Sequence, residues 1–424
     1  MTNNLKQKIA IIGTGISGMG AASLLHPHHE ITVYEKNGTV GGHSRTVQAK
    51  TPDGIIPVDT GFIVFNHRNY PLLTKLFSHL NVPIAKSDMS FSASIEDGWL
   101  EYGTNHPLNV FTQKRNLLRP AFWGMIRDVL KFNKRAKNYL DKDPSITLGK
   151  CLDELGMGAW YRNYFLLPMG ACIWSTPLEQ MLEYPAHSFI RFFDNHGLLT
   201  LNDQPQWCTV VGGSREYVER LTLPFKSRIR LNSGVTTVER NDNGVTILDT
   251  HGNREIFDQV IFGCHADQTL AILKNPTADE ERVLGSFRYQ NNRMVLHSDT
   301  SFMPKHKGAW ASWVYLSEKR EDKNSCVSLS YWMNRLQPLA TNTPMIVTLN
   351  PGREPSNELV HDEYWFEHPL FDEAAIRAQA DIKNIQGRDR LWFCGAYQRY
   401  GFHEDGLGSA VAMVRQMGIE PPWM

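Results

Sequence analysis

The spacing of apolar positions along this chain alternates between strand-like and helix-like segments. Residues 8–13 have the pattern of a buried strand, a glycine-rich turn occupies 13–18, helical spacing continues to about Leu25, and residues 31–35 have the pattern of a second strand. A strand, a helix and a second strand in this order are typical of a βαβ unit in a parallel sheet. The first part of the chain therefore predicts a doubly wound α/β domain.

The remainder of the chain predicts a mixed architecture. Residues 55–65 have the pattern of a buried strand, and 70–186 are mainly of helical spacing with proline breaks. Residues 229–262 alternate like strands, with a hairpin predicted at Asn241–Gly244, and 287–350 contain further strand-like runs. Helical spacing returns at 372–385, and the last strand is predicted at 391–395.

Signals for the nucleotide-binding fold flank the helical block and the later strand-rich block. We therefore predict a discontinuous domain made of residues 1–70, 205–268 and 386–424. Residues 71–204 and 269–385 are predicted to form an inserted α+β substrate domain.

Composition excludes several classes of function. Lys plus Arg and Asp plus Glu are both 44, so charge gives no support for nucleic-acid binding. The six cysteines are scattered without a CxxC pair, which argues against a metal site or a disulfide framework. No apolar run approaches the roughly 20 residues of a spanning helix, and few residues precede the first strand. We therefore expect a cytoplasmic protein.

Three glycines after the first strand have the spacing of a dinucleotide-binding turn, Gly13-x-Gly15-x-x-Gly18. Gly13 would allow the tight turn, Gly15 would let backbone approach a pyrophosphate, and Gly18 would let helix and strand pack closely. Glu35 ends the next strand, where a carboxylate would accept hydrogen bonds from ribose hydroxyls. A glycine turn of purely structural use is the alternative.

Two more glycine-rich segments extend the predicted site. Gly41-Gly42 precede Ser44 and Arg45, whose guanidinium could bind a phosphate, and the turn Asp59-Thr60-Gly61 could face a flavin ring. At the other end of the chain, Gly395 ends the last strand, and a final helix begins with an acidic, glycine-rich turn containing Glu404, Asp405, Gly406 and Ser409. Backbone N–H groups at that start could stabilise negative charge on a reduced flavin. An acidic helix cap without any ligand would give a similar string.

Together these segments resemble the FAD-dependent amine oxidase and phytoene desaturase superfamily. The matching segments are the N-terminal motif, the Gly41-Gly42 doublet, VDTGF at 58–62, VVGGSREYVERL at 210–221 and the terminal EDGLGSA. The resemblance implies a glutathione-reductase-like, Rossmann-type FAD domain with an amine-oxidase-like substrate domain. It also implies FAD contacts from the neighbouring residues Ile16, Ser17, Lys36 and His43, and from Val235 beside the adenine.

More narrowly, the segments at 264–273, 287–299, 309–315 and 401–410 resemble one bacterial subgroup of predicted NAD/FAD-binding proteins. Its members often accompany methyltransferases similar to cyclopropane-fatty-acid synthases. Some relatives are implicated in oxidising methylated fatty acyl chains, which implies a lipid acyl substrate.

The chain departs from the superfamily pattern at three points. The lysine commonly found near flavin N5 is missing from residues 290–293, which read QNNR. The Gly-Asp pair that often contacts the ribityl chain is Gly395-Ala396, and the paired aromatic cage for an amine is not clearly kept at 400–403. These departures weaken an amine-oxidase interpretation. No covalent-flavin motif is recognisable, so we expect non-covalent FAD.

Three residues near the last helix are candidates for catalysis. His403 directly precedes the acidic helix start, where a neutral imidazole could act as a base, or two carboxylates could keep it protonated. A structural role for His403 is equally compatible with the sequence. Tyr397 and Tyr400 could donate hydrogen bonds in the pocket, although core packing is the commoner role of such residues.

Residues 114–137 predict a basic amphipathic helix. The segment holds eight basic residues and one acid, Asp128, with helical apolar spacing at Leu118, Phe122, Met125, Ile126, Val129 and Leu130. Such a helix can lie on an anionic membrane surface, and peripheral contact with the inner face of the membrane is one interpretation. The other is a solvated basic face on a substrate-domain helix.

The sequence therefore predicts an FAD-dependent oxidoreductase that removes hydride from an apolar substrate, with desaturation of a fatty acyl chain as the preferred reaction. Dioxygen or an unidentified electron carrier would reoxidise the flavin. A flavin amine oxidase, a flavin-dependent double-bond isomerase and a flavoprotein without turnover remain alternatives.

Overall fold

A computed structural model describes residues 6–143, 145–174, 181–200, 204–318 and 328–424 of the chain. The predicted helical spacing at 175–180 lies outside these residues. The helices are α1 Ile16–Leu25, α2 Pro71–His79, α3 Pro120–Arg135, α4 Leu148–Glu154, α5 Ala159–Tyr161, α6 Leu167–Trp174, α7 Ala186–Asn195, α8 Arg215–Thr222, α9 Ala266–Ile272, α10 Ala278–Leu284, α11 Met333–Leu336, α12 Glu373–Asp381 and α13 His403–Gln416.

The strands are, in chain order, β1 Lys8–Ile12, β2 Glu30–Tyr34, β3 Thr46–Thr51, β4 Gly54–Asp59, β5 Val64–Asn66, β6 Ile84–Lys86, β7 Phe91–Ile95, β8 Leu100–Gly103, β9 Trp207–Val210, β10 Ile229–Arg230, β11 Val235–Asn241, β12 Gly244–Asp249, β13 Arg254–Phe257, β14 Gln259–Phe262, β15 Arg288–His297, β16 Trp313–Leu316, β17 Ser328–Trp332, β18 Ile346–Leu349, β19 Val360–Leu370 and β20 Leu391–Phe393.

A parallel sheet in the order β10-β2-β1-β14-β20 organises the nucleotide-binding part. Its strands come from both ends and the middle of the chain, as the discontinuous arrangement predicts. The central strands are apolar because helices cover both faces of the sheet. Residues of α1 and α13 pack on one face, and residues of α10 and α12 belong to the core on the other. This confirms the predicted Rossmann-type α/β class.

The substrate part contains a seven-stranded sheet in the order β19-β15-β18-β17-β16-β7-β8 and a helical layer formed by α3 to α7. Strands β7 and β8 fall inside the segment that the sequence predicts as mainly helical. Every residue of β7 and β8 is buried. A strand buried on both faces has no alternating pattern, so periodicity alone cannot distinguish it from a helix.

The core of the nucleotide-binding part extends past the predicted domain boundaries. Helix α2 contributes Leu73, Leu76 and Phe77 to the same core as α1 and α13. Helices α10 and α12 contribute residues to the core on the other sheet face. Residues 71–79, 278–284 and 373–381 therefore pack with the parallel sheet, although the sequence assigns them to the substrate domain.

The predicted hairpin at Asn241–Gly244 is present, and it joins β11 to β12 within the three-stranded sheet β11-β12-β13. Among the described helices, none has both the length and the apolar character that crossing a membrane requires.

Candidate functional site

The first glycine turn connects the end of β1 to the start of α1. Gly13 has a φ of +97°, and a Cβ placed on it would lie 3.1 Å from the carbonyl oxygen of Gly263. A Cβ on Gly18 would come within 2.0 Å of the Gly13 carbonyl oxygen. Both positions therefore require glycine, one for the left-handed turn and one for close packing of helix on strand.

Gly15 faces open space instead. A Cβ on Gly15 would meet no atom within 4 Å, and α1 has neither a side-chain cap from Gly15 nor an acid in its first turn. Gly42, with a φ of +57°, borders the same space, since its added Cβ would lie 3.0 Å from the Gly15 Cα. An uncapped helix start offers N–H groups and positive potential. Open space in front of such a helix start, bordered by glycine backbone, fits a diphosphate.

Glu35 follows β2 and is buried beside this turn. One oxygen of its carboxylate accepts hydrogen bonds from the N–H and the hydroxyl of Thr14, at 3.1 and 2.5 Å, and the other accepts from the N–H of Asn37 at 2.9 Å. These contacts fix the carboxylate and leave lone pairs for ribose hydroxyls. Gly234, which precedes Val235, packs against the exposed Lys36, so the predicted adenosine contacts lie at one end of β2.

The start of α13 packs against the start of α1. A Cβ on Gly406 would lie 2.8 Å from Cγ2 of Ile16 and 2.9 Å from the Ser17 hydroxyl oxygen. The Ser409 hydroxyl accepts a hydrogen bond from the Gly395 N–H at 2.9 Å and donates to the Gly406 carbonyl at 2.7 Å. The two ends of the chain are therefore joined at one place, as the sequence predicts.

The carboxylates of Glu404 and Asp405 are used within the protein. Glu404 accepts hydrogen bonds from the N–H groups of Leu72 and Leu73 at 2.9 and 3.0 Å, at the start of α2. Asp405 accepts from the Phe402 N–H at 2.9 Å. Burial raises the pKa of Glu404, and it raises the pKa of Asp405 to about 6. Both carboxylates therefore accept hydrogen bonds from backbone N–H groups of the protein, and contact of this helix start with the cofactor stays a prediction.

His403 contacts the N-terminal segment through its ring. The ring stacks on Phe62 with centroids 3.9 Å apart, and Nε2 lies 2.8 Å from the Ser44 hydroxyl and 3.1 Å from the Tyr217 hydroxyl. The Ser44 and Tyr217 hydroxyls also share a hydrogen bond. Burial lowers the pKa of His403 to about 3, so the imidazole is neutral at pH 7. The neighbouring carboxylates do not keep it protonated, because both are directed at helix starts.

The guanidinium of Arg45 forms an ion pair with the carboxylate of Asp362. The guanidinium donates to Asp362 at 2.6 and 3.2 Å and to the Thr60 hydroxyl at 3.2 Å, and it lies 4.5 Å from the ring centroid of Tyr364. These bonds use three of the five guanidinium N–H donors, so Asp362 is the charged partner of Arg45 in this structure and a phosphate contact stays a prediction. A Cβ on Gly61 would lie 2.1 Å from the His43 carbonyl oxygen, so Gly61 permits close backbone packing at this point.

Asp59, the first residue of the turn predicted to face the flavin, is buried and connects several elements. It accepts hydrogen bonds from the N–H and hydroxyl of Ser214 at 2.8 and 2.9 Å, from the Thr46 hydroxyl at 2.6 Å and from the Gln337 amide at 2.8 Å. Burial raises its pKa to about 6. An acid at the end of an apolar strand needs such partners, so the sequence around Asp59 already indicates a hydrogen-bonded, buried carboxylate.

Tyr397 and Tyr400 are not among the residues that contact the His403 ring in the described part of the structure. Tyr397 is buried in the core that contains Phe287, with ring centroids 4.8 Å apart, and its hydroxyl has no hydrogen-bond partner among the described residues. Tyr400 is 37% exposed. Core packing and surface exposure therefore replace the catalytic roles predicted for these two residues.

Three histidines form a cluster beside the glycine doublet. The ring centroid of His43 lies 5.4 Å from that of His368 and 6.2 Å from that of His265, and His368 Nδ1 is 2.9 Å from the Asn292 amide nitrogen. Burial lowers the pKa of His43, and it lowers the pKa of His368 to about 4. His265 immediately precedes α9, near the carboxyl end of β14.

Comparisons with known proteins agree with this geometry. The family described as flavin-containing amine oxidoreductase matches residues 16–354. The chain is 22% identical over 258 residues to AofH of Mycobacterium tuberculosis, a protein assigned as a flavin-containing monoamine oxidase. That alignment covers 58% of this chain and 54% of AofH, so the chain spans about half the length of the curated relatives it matches.

Solved structures share the whole fold at low sequence identity. A CLA-producing fatty acid isomerase from P. acnes has a TM-score of 0.67 at 15% identity, over 97% of this chain and 98% of that one. Putrescine oxidase bound to putrescine has a TM-score of 0.67 at 15% identity, over 97% of this chain and 99% of that one. Reduced UDP-galactopyranose mutase has a TM-score of 0.65 at 15% identity, over 98% of this chain and 94% of that one. The family match covers most of the chain, and the open glycine-bordered helix start fits a dinucleotide. The chain belongs to the family of flavin-containing amine oxidoreductases, and FAD is its cofactor.

Proposed function

We propose that the protein desaturates a fatty acyl chain, and that a methylated acyl chain is its substrate class. The observation that carries this proposal is the uncharged character of the surface at the start of α13. His403 is neutral and stacks on Phe62, while Glu404 and Asp405 direct their carboxylates to backbone N–H groups. A neutral aromatic surface suits a hydrocarbon better than a cation.

Aromatic side chains continue this surface into the substrate part. Phe402 stacks with Phe192 at a centroid distance of 5.2 Å, and the His196 ring lies 5.6 Å from Phe402. Burial lowers the pKa of His196 to about 4, so this imidazole is also neutral at pH 7. Trp313 and Tyr331 contact each other edge-to-face at 4.9 Å and pack against the same core as Phe402.

An amine substrate has less support. An alkylammonium needs a carboxylate or an aromatic cage to replace its hydration. The two carboxylates next to His403 are occupied, and β15, which reads RYQNNRMVLH, contains no lysine. The names of the structural neighbours include both an amine oxidase and a fatty acid isomerase, and at 15% identity they support only the fold.

Desaturation removes a hydride and a proton from adjacent carbons; bound FAD would supply the hydride acceptor, and the proton would be released to solvent. The chain holds the acyl group against the cofactor and excludes water. With its pKa lowered to about 3, His403 is a weak resting base at pH 7, so we assign it to positioning through Ser44 and Tyr217. Dioxygen or an electron carrier completes the proposed cycle by reoxidising the flavin.

The test compares lipids from cells that lack the protein, cells that produce it and cells that produce a variant unable to hold FAD. We expect acyl chains that have lost two hydrogens only in cells with the intact protein. Anaerobic mixing of the purified protein with the acyl substrate should bleach the flavin. Acyl chains of unchanged mass with a moved double bond would instead indicate an isomerase. Ammonia release from an amine would indicate an amine oxidase, and a flavin that no substrate reduces would indicate a binding role.

A further inference from the structure

Exposed apolar side chains are concentrated in one short stretch of the substrate part. Leu118 is 86% exposed and Leu108 is 74% exposed, while Leu117, Trp123 and Leu130 are each about half exposed. Single exposed apolar residues are ordinary on a protein surface, but a group of large ones marks an interaction site.

Contacts join these residues into one surface. The Trp123 indole N–H donates to the Leu117 carbonyl oxygen at 3.0 Å, and the Trp123 ring lies 5.1 Å from the ring of Phe111. Phe111 and Leu108 lie on the same short helix, Pro107–Phe111. Trp123 and Leu130 are two turns apart on α3 and therefore share a face. We call Leu108, Leu117, Leu118, Trp123 and Leu130, with the cations among them, the apolar–basic surface.

The cations of this surface alternate with its apolar residues. On α3, exposed Arg127 and Lys134 occupy the same stripe as Trp123 and Leu130. Exposed Lys114, Arg115 and Arg135 flank this stripe. The one acid in residues 107–137 is Asp128, which is buried and accepts a hydrogen bond from the Gly158 N–H at 2.8 Å. Within residues 107–137 the exposed charge is therefore of one sign.

The structure divides the apolar face that the sequence predicts, because Leu118 and Leu130 lie in the apolar–basic surface while other members are buried. Phe122 and Met125, together with Phe132, are buried in the core of the substrate part. The regular apolar spacing of α3 is thus explained by ordinary core packing. A solvated basic face would have no need for exposed Trp123 and Leu130 in the same stripe as its cations.

We propose that the apolar–basic surface binds the surface of an anionic phospholipid bilayer. Leucine and tryptophan side chains would enter the boundary between headgroups and acyl chains, while lysine and arginine would contact lipid phosphates. Each cation near an anionic leaflet adds to the attraction, and the uniform charge of this surface is complementary to that leaflet. This inference is independent of the reaction proposed above, although it would give the protein access to lipid-borne acyl chains.

The test is co-sedimentation of the FAD-loaded protein with vesicles of phosphatidylcholine, with or without phosphatidylglycerol. We expect strong binding only to vesicles that contain phosphatidylglycerol, with weakening at high salt. The double variants Leu118→Glu/Trp123→Glu and Arg127→Glu/Lys134→Glu should each lose at least about 10-fold in vesicle affinity. The matched control is Leu223→Glu, because Leu223 is 70% exposed outside this surface and its replacement should change nothing.

Thermal unfolding and flavin absorbance of every variant would show that the fold and cofactor are retained. Vesicle binding by the wild type that neither double variant reduces would overturn the proposal, as would the absence of binding to any vesicle. Light scattering provides a further check. A dimer or a protein complex that the same variants abolish, without vesicle binding, would identify a protein interface and also overturn it. No substrate is present, so the outcome does not depend on the proposed reaction.

Discussion

The starts of α1 and α13 lie side by side, yet their sequences prepare them for different tasks. The first turn of α1 contains no acid, and Gly15 leaves open space in front of it. The first turn of α13 contains Glu404 and Asp405, whose carboxylates hold α2 and the preceding loop. Carboxylates oppose the positive potential that a diphosphate requires, so α1 is the anion-binding start. The start of α13 positions its neighbours and His403.

Gly15→Val should break this assignment most severely. The new side chain would occupy the space for the diphosphate without striking any protein atom, because nothing lies within 4 Å of an added Cβ. We expect FAD affinity to fall by at least about 100-fold, comparable to losing one or two hydrogen bonds to charged groups. Flavin absorbance of the purified variant, and FAD titration of its apoprotein, measure this.

Gly124→Val is the matched control, because a Cβ on Gly124 also meets no atom within 4 Å. It should retain FAD. A Gly15→Val protein that is fully loaded with FAD would show that the diphosphate does not approach α1 at Gly15.

His403→Phe tests the role of the α13 start through the pH dependence of stability. Burial lowers the pKa of His403 in the folded protein to about 3, below its ordinary value of about 6.5, so the unfolded chain binds the extra proton first as pH falls. The associated stability is present above pH 6.5 and is lost toward pH 3, by up to about 1.4 kcal/mol per pH unit. Phenylalanine keeps the stacking on Phe62 but removes this titration. When denaturant unfolding is measured between pH 6.5 and 4, the unfolding free energy of the variant should therefore change less steeply with pH than that of the wild type.

The exposed His67 provides the control for this experiment, since His67→Gln should leave the slope of the wild type unchanged. An identical slope in His403→Phe would mean that His403 is not held neutral in the folded protein.

Glu404→Ala should have the smallest effect and only on stability. It removes the carboxylate that accepts the Leu72 and Leu73 N–H groups, which corresponds to a lost helix cap of about 1 kcal/mol. FAD content should stay at the level of the wild type. FAD loss without a change in unfolding free energy would assign Glu404 to the cofactor instead.

Local signals predicted the parts of the fold that depend on short spacing. The turn at Gly13–Gly18 and the hairpin at Asn241–Gly244 follow from backbone rules that act over a few residues. Partners that are distant in sequence could not be predicted. Arg45 pairs with Asp362, more than 300 residues away, and nothing in the local sequence of Arg45 distinguishes a carboxylate from a phosphate partner.

The two tyrosines that the sequence predicts as catalytic also depend on contacts that local sequence does not specify. Tyr397 and Tyr400 are close to His403 in sequence, but the turn between β20 and α13 places one in the core and the other at the surface. Strands β7 and β8 were missed because burial on both faces removes the alternating pattern.

A crystal structure of the protein with FAD tests the central assignment most directly. We predict diphosphate oxygens at hydrogen-bond distance, about 2.7–3.2 Å, from the backbone nitrogen of Ile16 or Ser17. A diphosphate bound at the start of α13, or away from both helix starts, would contradict the account.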